Sequence, residues 1–152
     1  MYLITPDRFA NGNPENDNIE GYTEQANRSD KDGRHGGDLV GIMNHIDYID
    51  EMGFTAIWLN PVLENNMPRT SYHGYATTDF YKVDPRYGSN EDFVNLTLKA
   101  QKMGIKMIMD MIMNHCGSEH WWMKDMPSAD WINFGGEFVS TNHRRSTVQD
   151  PM

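Results

Sequence analysis

At 152 residues the chain is the size of one ordinary domain with room for a real core. Thirteen basic against twenty-two acidic residues give a formal charge of −9, which argues against nucleic acid, whose binding draws on Lys and Arg; neutral ligands or cations suit the chain better. Cys116 stands alone, excluding an intramolecular disulfide, and no stretch approaches the roughly 18 apolar residues of a membrane-spanning helix.

The chain opens on a short strand, "MYLI", and the start "MYLITPDRF" lacks the charged and apolar regions of a signal peptide. A long loop follows, about residues 5 to 37. Within it, "DRFANGNPENDN" gathers the oxygen donors Asp7, Asn11, Asn13, Asn16 and Asp17, the hard ligands a calcium ion uses. The spacing is not that of an EF-hand, since the sixth position from Asn11 is Asn16 and the twelfth Tyr22. Asn, Asp, Gly and Pro also crowd any tight turn, and on the residues alone the turn outweighs the metal site.

Leu39, Ile42, Met43, Ile46, Ile49 and Met52 fall at three- and four-residue steps, predicting one helix capped by Asp38 and ended by Gly53. A strand over Thr55 to Leu59 follows almost without a loop. The next loop, 60 to 89, contains "SYHGYATTDFYKVDPRYGS", where aromatic rings beside Gly, with Asp79 and Asp84, suit either a sugar-binding surface or plain packing of the loop onto the fold. Ser89, with Asp92 at the capping-box position, starts a second helix that buries Phe93, Leu96, Ala100 and Met103 and stops at Gly104.

A third strand is expected from Lys106 to Ile112, with Met107, Met109 and Met111 on one face and Ile108, Asp110 and Ile112 on the other. A carboxylate in that run needs a partner, and at the carboxyl end of a parallel strand it reads as functional. Asn114, His115 and Cys116 follow. A soft-metal site there is disfavoured, because the methionines alternate as packing residues and no C-x-x-C or H-E-x-x-H spacing occurs; no G-x-S-x-G elbow supports a serine hydrolase either. In "SEHWWMKDMPSADWINFGGEF", Trp121, Trp122 and Trp131 read best as a small core.

The segments "HIDYIDEMGFTAIWLNP" (45 to 61) and "LKAQKMGIKMIMDMIMN" (98 to 114) echo each other, each passing from a helix through Met-Gly into an apolar strand. Strand, helix, strand, helix, strand with short returns and long outward loops predicts an α/β fold with parallel strands and a binding site on the loops after the strands.

Three motifs carry a family resemblance. "DMIMNH" (110 to 115) resembles the third-strand signature of the α-amylase superfamily of glycoside hydrolases, and "HGYATTDFYKVDPRYGS" (73 to 89) the loop after that family's second strand. "DRFANGNPEND" with "GGDLVGI" (36 to 42) is similar to the opening of its neopullulanase and cyclomaltodextrinase branch. The resemblance implies a partial TIM (β/α)8 barrel: residues 1–115 form its first three strands, and 116–152 start the subdomain inserted after strand three. It implies that Tyr75 stacks on the sugar whose bond is cut, that His115 hydrogen-bonds that sugar, and that His73 lines the same pocket. Asp110 then holds an arginine of the fourth strand, and Asn114 fixes the loop into the subdomain. Calcium is implied at Asn11, Asn13, Asn16, Asp17, the Gly36 carbonyl and Asp38, weakened by Asn13 where the family often has Asp, with Asp38 claimed by both metal and helix cap.

The family's retaining mechanism uses an Asp nucleophile, a Glu acid/base and a second Asp after the fourth, fifth and seventh strands. None of the three falls within this chain, so the chain alone is expected to be inactive. The implied partner is an α-1,4/α-1,6-linked glucan, with no nucleic acid or membrane and room for a homo-oligomer to cover open edges. The implied compartment is the periplasm, the cytoplasm being the alternative. The rival reading is a non-catalytic glucan-binding protein on the same barrel.

Overall fold

The structure is a computed structural model and describes residues 1–137 and 139. In chain order, β1 (Tyr2–Ile4) and a single turn α1 (Pro6–Phe9) lead through the first loop to α2 (Leu39–Asn44) and α3 (Ile46–Glu51), then β2 (Ala56–Leu59). A hairpin follows, β3 (Leu63–Glu64) with β4 (Asp79–Val83), and then α4 (Asn90–Lys102) and β5 (Lys106–Met109). The main sheet has the order β1-β2-β5, all parallel, with Tyr2 opposite Ile57 and Ile57 opposite Met107. The division into 1–115 and 116–152 extends, in its second part, onto residues outside those described.

Alternation sorts the sheet into two faces. Ile4, Ile57 and Leu59 are buried against Leu39, Ile42, Ile46, Ile49, Leu96 and Ala100 of the helices, with Tyr2, Met107 and Met109 packed at the margin. The opposite face carries the row Leu3, Trp58 and Ile108, which no helix among the described residues covers; Leu3 is 57 % and Ile108 40 % exposed.

The expected start and stop signals are in place. Asp38 accepts the Gly41 amide at 2.6 Å. Ser89 and Asp92 complete a reciprocal box, Asp92 N–H to Ser89 Oγ at 3.1 Å and Ser89 N–H to Asp92 Oδ2 at 2.7 Å. Gly53 and Gly104 take the left-handed conformation past the helix ends.

Two boundaries differ from expectation. The helix expected to run through Met52 breaks at His45, where φ −111° and ψ 16° interrupt it and the ring Nδ1 bonds the Gly41 carbonyl at 2.8 Å. The apolar spacing crosses the break undisturbed, since Ile42, Ile46 and Ile49 are all fully buried. The last strand stops at Met109 rather than Ile112, because its partner β2 ends at Leu59 and Pro61 has no N–H to extend the ladder. Met111 therefore does not join the Met107 and Met109 face; it is exposed, and Ile112 is buried instead.

Candidate functional site

The hairpin β3–β4 carries a long turn to the carboxyl ends of the strands, and buried polar groups hold it. Asn65, fully buried, donates from Nδ2 to the Ser71 carbonyl at 2.8 Å and accepts the Ala76 amide on Oδ1 at 2.8 Å, pinning both sides of the turn. The Tyr87 hydroxyl donates to the Tyr72 carbonyl at 2.6 Å. Gly74, at φ 80°, lies where an added Cβ would be 2.2 Å from the Pro61 carbonyl oxygen, so the turn presses directly on the end of β2. Beneath it, Asp84 and Arg86 form a buried pair at 2.7 Å. Burial alone would lift the Asp84 carboxyl, but the Arg86 bond and the Arg34 and Arg86 charges hold it below the ordinary carboxylate value.

The turn delivers Tyr75 to Asp110. The Tyr75 hydroxyl donates to Asp110 Oδ2 at 3.0 Å, and Trp58 Nε1 donates to the same oxygen at 3.2 Å. Asp110, expected deep among apolar side chains and tied to an arginine, is half-buried and served by these two neutral donors. Among the described residues its Oδ1 has no hydrogen-bond donor. Burial, then the Asp110 bond and charge, push the Tyr75 phenol above its ordinary value, so it remains protonated as a donor.

The two histidines flank this pair. His115 Nε2 lies 2.9 Å from the Tyr75 carbonyl, which can only accept, so that nitrogen carries the proton. Nδ1 then accepts from Asn114 Nδ2 at 3.3 Å. Both ring nitrogens are thus occupied, and a sugar hydroxyl reaches His115 only by exchanging with one of them. His73 Nδ1 accepts the Tyr75 amide at 2.8 Å, and the two rings lie 5.8 Å apart at 30°. Burial lowers the His73 pKa, keeping the ring neutral near pH 7. Tyr75, His73, His115 and Asp110 therefore meet at one rim, with Asn114 touching only through His115.

The second group of expected residues lies in the first loop. Asn11 Nδ2 donates to Asp17 Oδ1 at 2.7 Å, and Gly36, at φ 83°, sits so close that a Cβ would be 2.3 Å from that oxygen. Asn11 Oδ1 and both polar atoms of the Asn16 side chain are buried without a hydrogen-bond partner. Unsatisfied amide oxygens beside a carboxylate fit a hard cation. Asn13 and Asp38 have partners of their own: Asn13 Oδ1 accepts the Glu15 amide at 3.3 Å, and Asp38 accepts the amides of Gly12, Asn13 and Gly41. Amides of the helix cap and the first loop thus bond the Asp38 carboxylate, as the cap role requires. Among the described residues no group of three or more His, Cys, Asp or Glu gathers as a metal site, so any ligand set here is built mainly on amide and carbonyl oxygens.

Trp58 carried no motif, although alternation in β2 puts it on the Asp110 face. Asn65 stands between two other polar residues, Glu64 and Asn66, with no spacing to mark it. The expected tryptophan core forms in part: Trp122 packs on His120 at 4.3 Å, Phe80 at 5.6 Å and Trp131 at 5.4 Å, while Trp121 and Trp131 stay half exposed. A polar recess of about 350 Å³ lined by Thr23, Glu64, Asn66, Thr78, Glu119 and Lys124 contains none of the rim residues.

Residues 3–146 match the family described as "Alpha amylase, catalytic domain". The chain is similar to a beta/alpha-amylase of Paenibacillus polymyxa, 39 % identical over 94 % of this chain and 12 % of that protein. It is similar to neopullulanase 2 of Thermoactinomyces vulgaris, 36 % identical over 99 % of this chain and 27 % of that one. Its structure resembles the crystal structure of an alpha-amylase from Geobacillus thermoleovorans complexed with acarbose, with a TM-score of 0.70 and 43 % identity over 86 % of this chain and 26 % of that chain. The chain thus spans 12 % and 27 % of the length of the two relatives. These likenesses match the parallel strands and helices to a partial TIM-barrel-type fold.

Proposed function

Because the chain belongs to the family of alpha-amylase catalytic domains, we propose that it supplies the first three strands of a (β/α)8 barrel, β1, β2 and β5, in an α-glucan hydrolase. Residues up to 115 form barrel wall and rim, and the segment from 116 begins a subdomain inserted after the third strand. The observation that carries this reading is the bond from the Tyr75 hydroxyl to Asp110 at 3.0 Å, which fixes an aromatic ring, 41 % exposed, at the carboxyl end of parallel strands.

In this reading the Tyr75 ring stacks on the sugar at the bond to be cut, His115 bonds its hydroxyls and His73 closes one side. The open Asp110 oxygen receives a guanidinium from the next strand. The retaining carboxylates lie on later strands, so this chain binds glucan and does not cleave it alone. A calcium ion in the first loop takes Asn11 Oδ1, Asn16 Oδ1, Asp17 and the Gly36 carbonyl, with Asn13 and Asp38 shaping the loop from behind. Its chemistry there is structural: it neutralises Asp17 and ties the loop together. The open edges of β1 and β5 suit cover by further barrel strands or by a second copy. Periplasmic placement follows the same likeness, with the cytoplasm as the alternative.

The test is titration of the chain with maltohexaose. Saturable binding is expected, and Tyr75→Ala should weaken it by ~1–3 kcal/mol, the scale of a lost stacking contact. Equal affinity of the Tyr75→Ala chain refutes the reading. Glucan binding without hydrolysis by the gene's full-length product would instead favour the non-catalytic binder.

A further inference from the structure

The turn bearing His73 and Tyr75 has an anchor from outside its own hairpin. Glu24, on the first loop, accepts the Thr70 amide on Oε1 at 2.8 Å and the Ser71 amide on Oε2 at 2.6 Å. These two amides flank the α-carbon of Thr70, whose φ of 57° and ψ of 24° lie in the left-handed region that a β-branched residue seldom adopts. Successive amides turned to the same side form a concave cradle for an anion, and the Glu24 carboxylate fills it.

The clamp is itself held, because the Glu24 carbonyl accepts Arg86 Nη1 at 2.9 Å and Arg34 Nη1 reaches Ser71 Oγ at 3.2 Å. From Ser71 the chain passes in one tight turn, Ser71–His73, through Gly74 to Tyr75. The conformation at Thr70 therefore sets the direction in which both rings leave the turn. Remove the anion, and the two amides beside the left-handed residue lose their acceptors.

We propose that Glu24 is a positioning residue for the His73 and Tyr75 rings, through which the first loop sets how well the second loop meets a sugar. This rests on the reading of Tyr75 as a sugar contact. A loop already held in its binding conformation pays less to be ordered when the sugar arrives, which is why a residue remote from the sugar can matter.

The experiment compares Glu24→Ala, Glu24→Gln and Tyr75→Ala with wild type in the full chain, by maltohexaose titration and amide hydrogen exchange. Glu24→Ala should speed exchange over residues 70–75 about tenfold and leave β2 and α4 protected as in wild type. It should weaken maltohexaose about fivefold or more, the cost of ordering the two rings only on binding. Glu24→Gln, which keeps one acceptor oxygen and turns an amino group to the other amide, should fall between. Wild-type affinity in Glu24→Ala overturns the proposal, as does a loss of affinity matched by equal loss of protection in β2 and α4, the mark of a merely structural residue. Where Tyr75→Ala also binds like wild type, the sugar reading falls instead. The clamp is then judged on exchange alone: faster exchange over 70–75 sustains it, and unchanged exchange refutes it.

Discussion

Asn65→Ala is the sharpest probe of how the rim is held. The side chain makes two bonds of 2.8 Å, one to the carbonyl of fully buried Ser71 and one from the amide of half-buried Ala76. Truncation leaves the Ser71 oxygen without a partner where water does not reach, at ~1–3 kcal/mol, while the Ala76 amide is partly rescued by solvent and adds ~0.5–1 kcal/mol. The sum is about 1.5–4 kcal/mol, or about 3–16 °C in Tm for a chain of this size. The backbone bond from Asn65 to Asp84 at 3.0 Å is untouched, so the loss concentrates in the turn. Urea unfolding gives the magnitude, and exchange at the Ala76 amide gives the location. Asn65→Asp, which keeps the acceptor for Ala76 but faces the Ser71 carbonyl with an oxygen, should cost at least as much at pH 7 despite its equal volume. The reasoning is refuted if Asn65→Ala unfolds within ~0.5 kcal/mol of wild type and Ala76 exchange stays unchanged.

Three further outcomes follow from the same geometry. The Asp84 carboxyl is held below its ordinary value by Arg86 and Arg34 against the lift from burial, so its stabilisation is complete above the unfolded carboxylate range and disappears as pH falls through the lower folded value. Urea midpoints should therefore drop below about pH 4, with Asp84→Asn flattening that drop and costing ~3–5 kcal/mol at neutral pH by leaving Arg86 buried and unpaired. Calcium at a hundredfold excess over its Kd should stabilise the chain by ~2.7 kcal/mol in calorimetry, reversed by chelator and lost in Asn16→Ala; equal melting with and without chelator would remove the ligand set. Gly74→Ala combines a left-handed backbone with a Cβ 2.2 Å from the Pro61 oxygen, and should cost more than the ~1 kcal/mol of the conformation alone, read from chemical denaturation.

What could be read before any coordinates were features with a local cause. The Asp38 cap, the Ser89 and Asp92 box and the left-handed Gly53 and Gly104 depend on neighbours a few residues away, and all are present. The motif resemblance put Tyr75 and Asp110 at one rim but gave Asp110 an arginine as partner; the bond it receives from the Tyr75 hydroxyl at 3.0 Å was not legible. Features set by distant partners were not. The break at His45 is invisible because Ile42, Ile46 and Ile49 keep a helical spacing across it. The early end of β5 is decided fifty residues upstream, where Pro61 follows the last paired residues of β2. The β3–β4 hairpin is too short on one side for any alternation to show, and it stands on Asn65, Asp84 and Arg86, three polar residues whose burial only the folded chain reveals. Asp110 needed a partner, but nothing in the order of residues named Trp58.

The parallel register also governs time. Tyr2 pairs with Ile57 and Ile57 with Met107, so each strand must wait for about fifty residues of helix and loop before its neighbour exists. At ~5–20 residues per second, a ribosome keeps β1 single for seconds, and the entropy of closing such long intervals slows each docking further. Assembly of this sheet is a procession, strand by strand from the amino end, and the interval during which Ile4 and the rest of the future core stand uncovered is when a chaperone would find the most to hold.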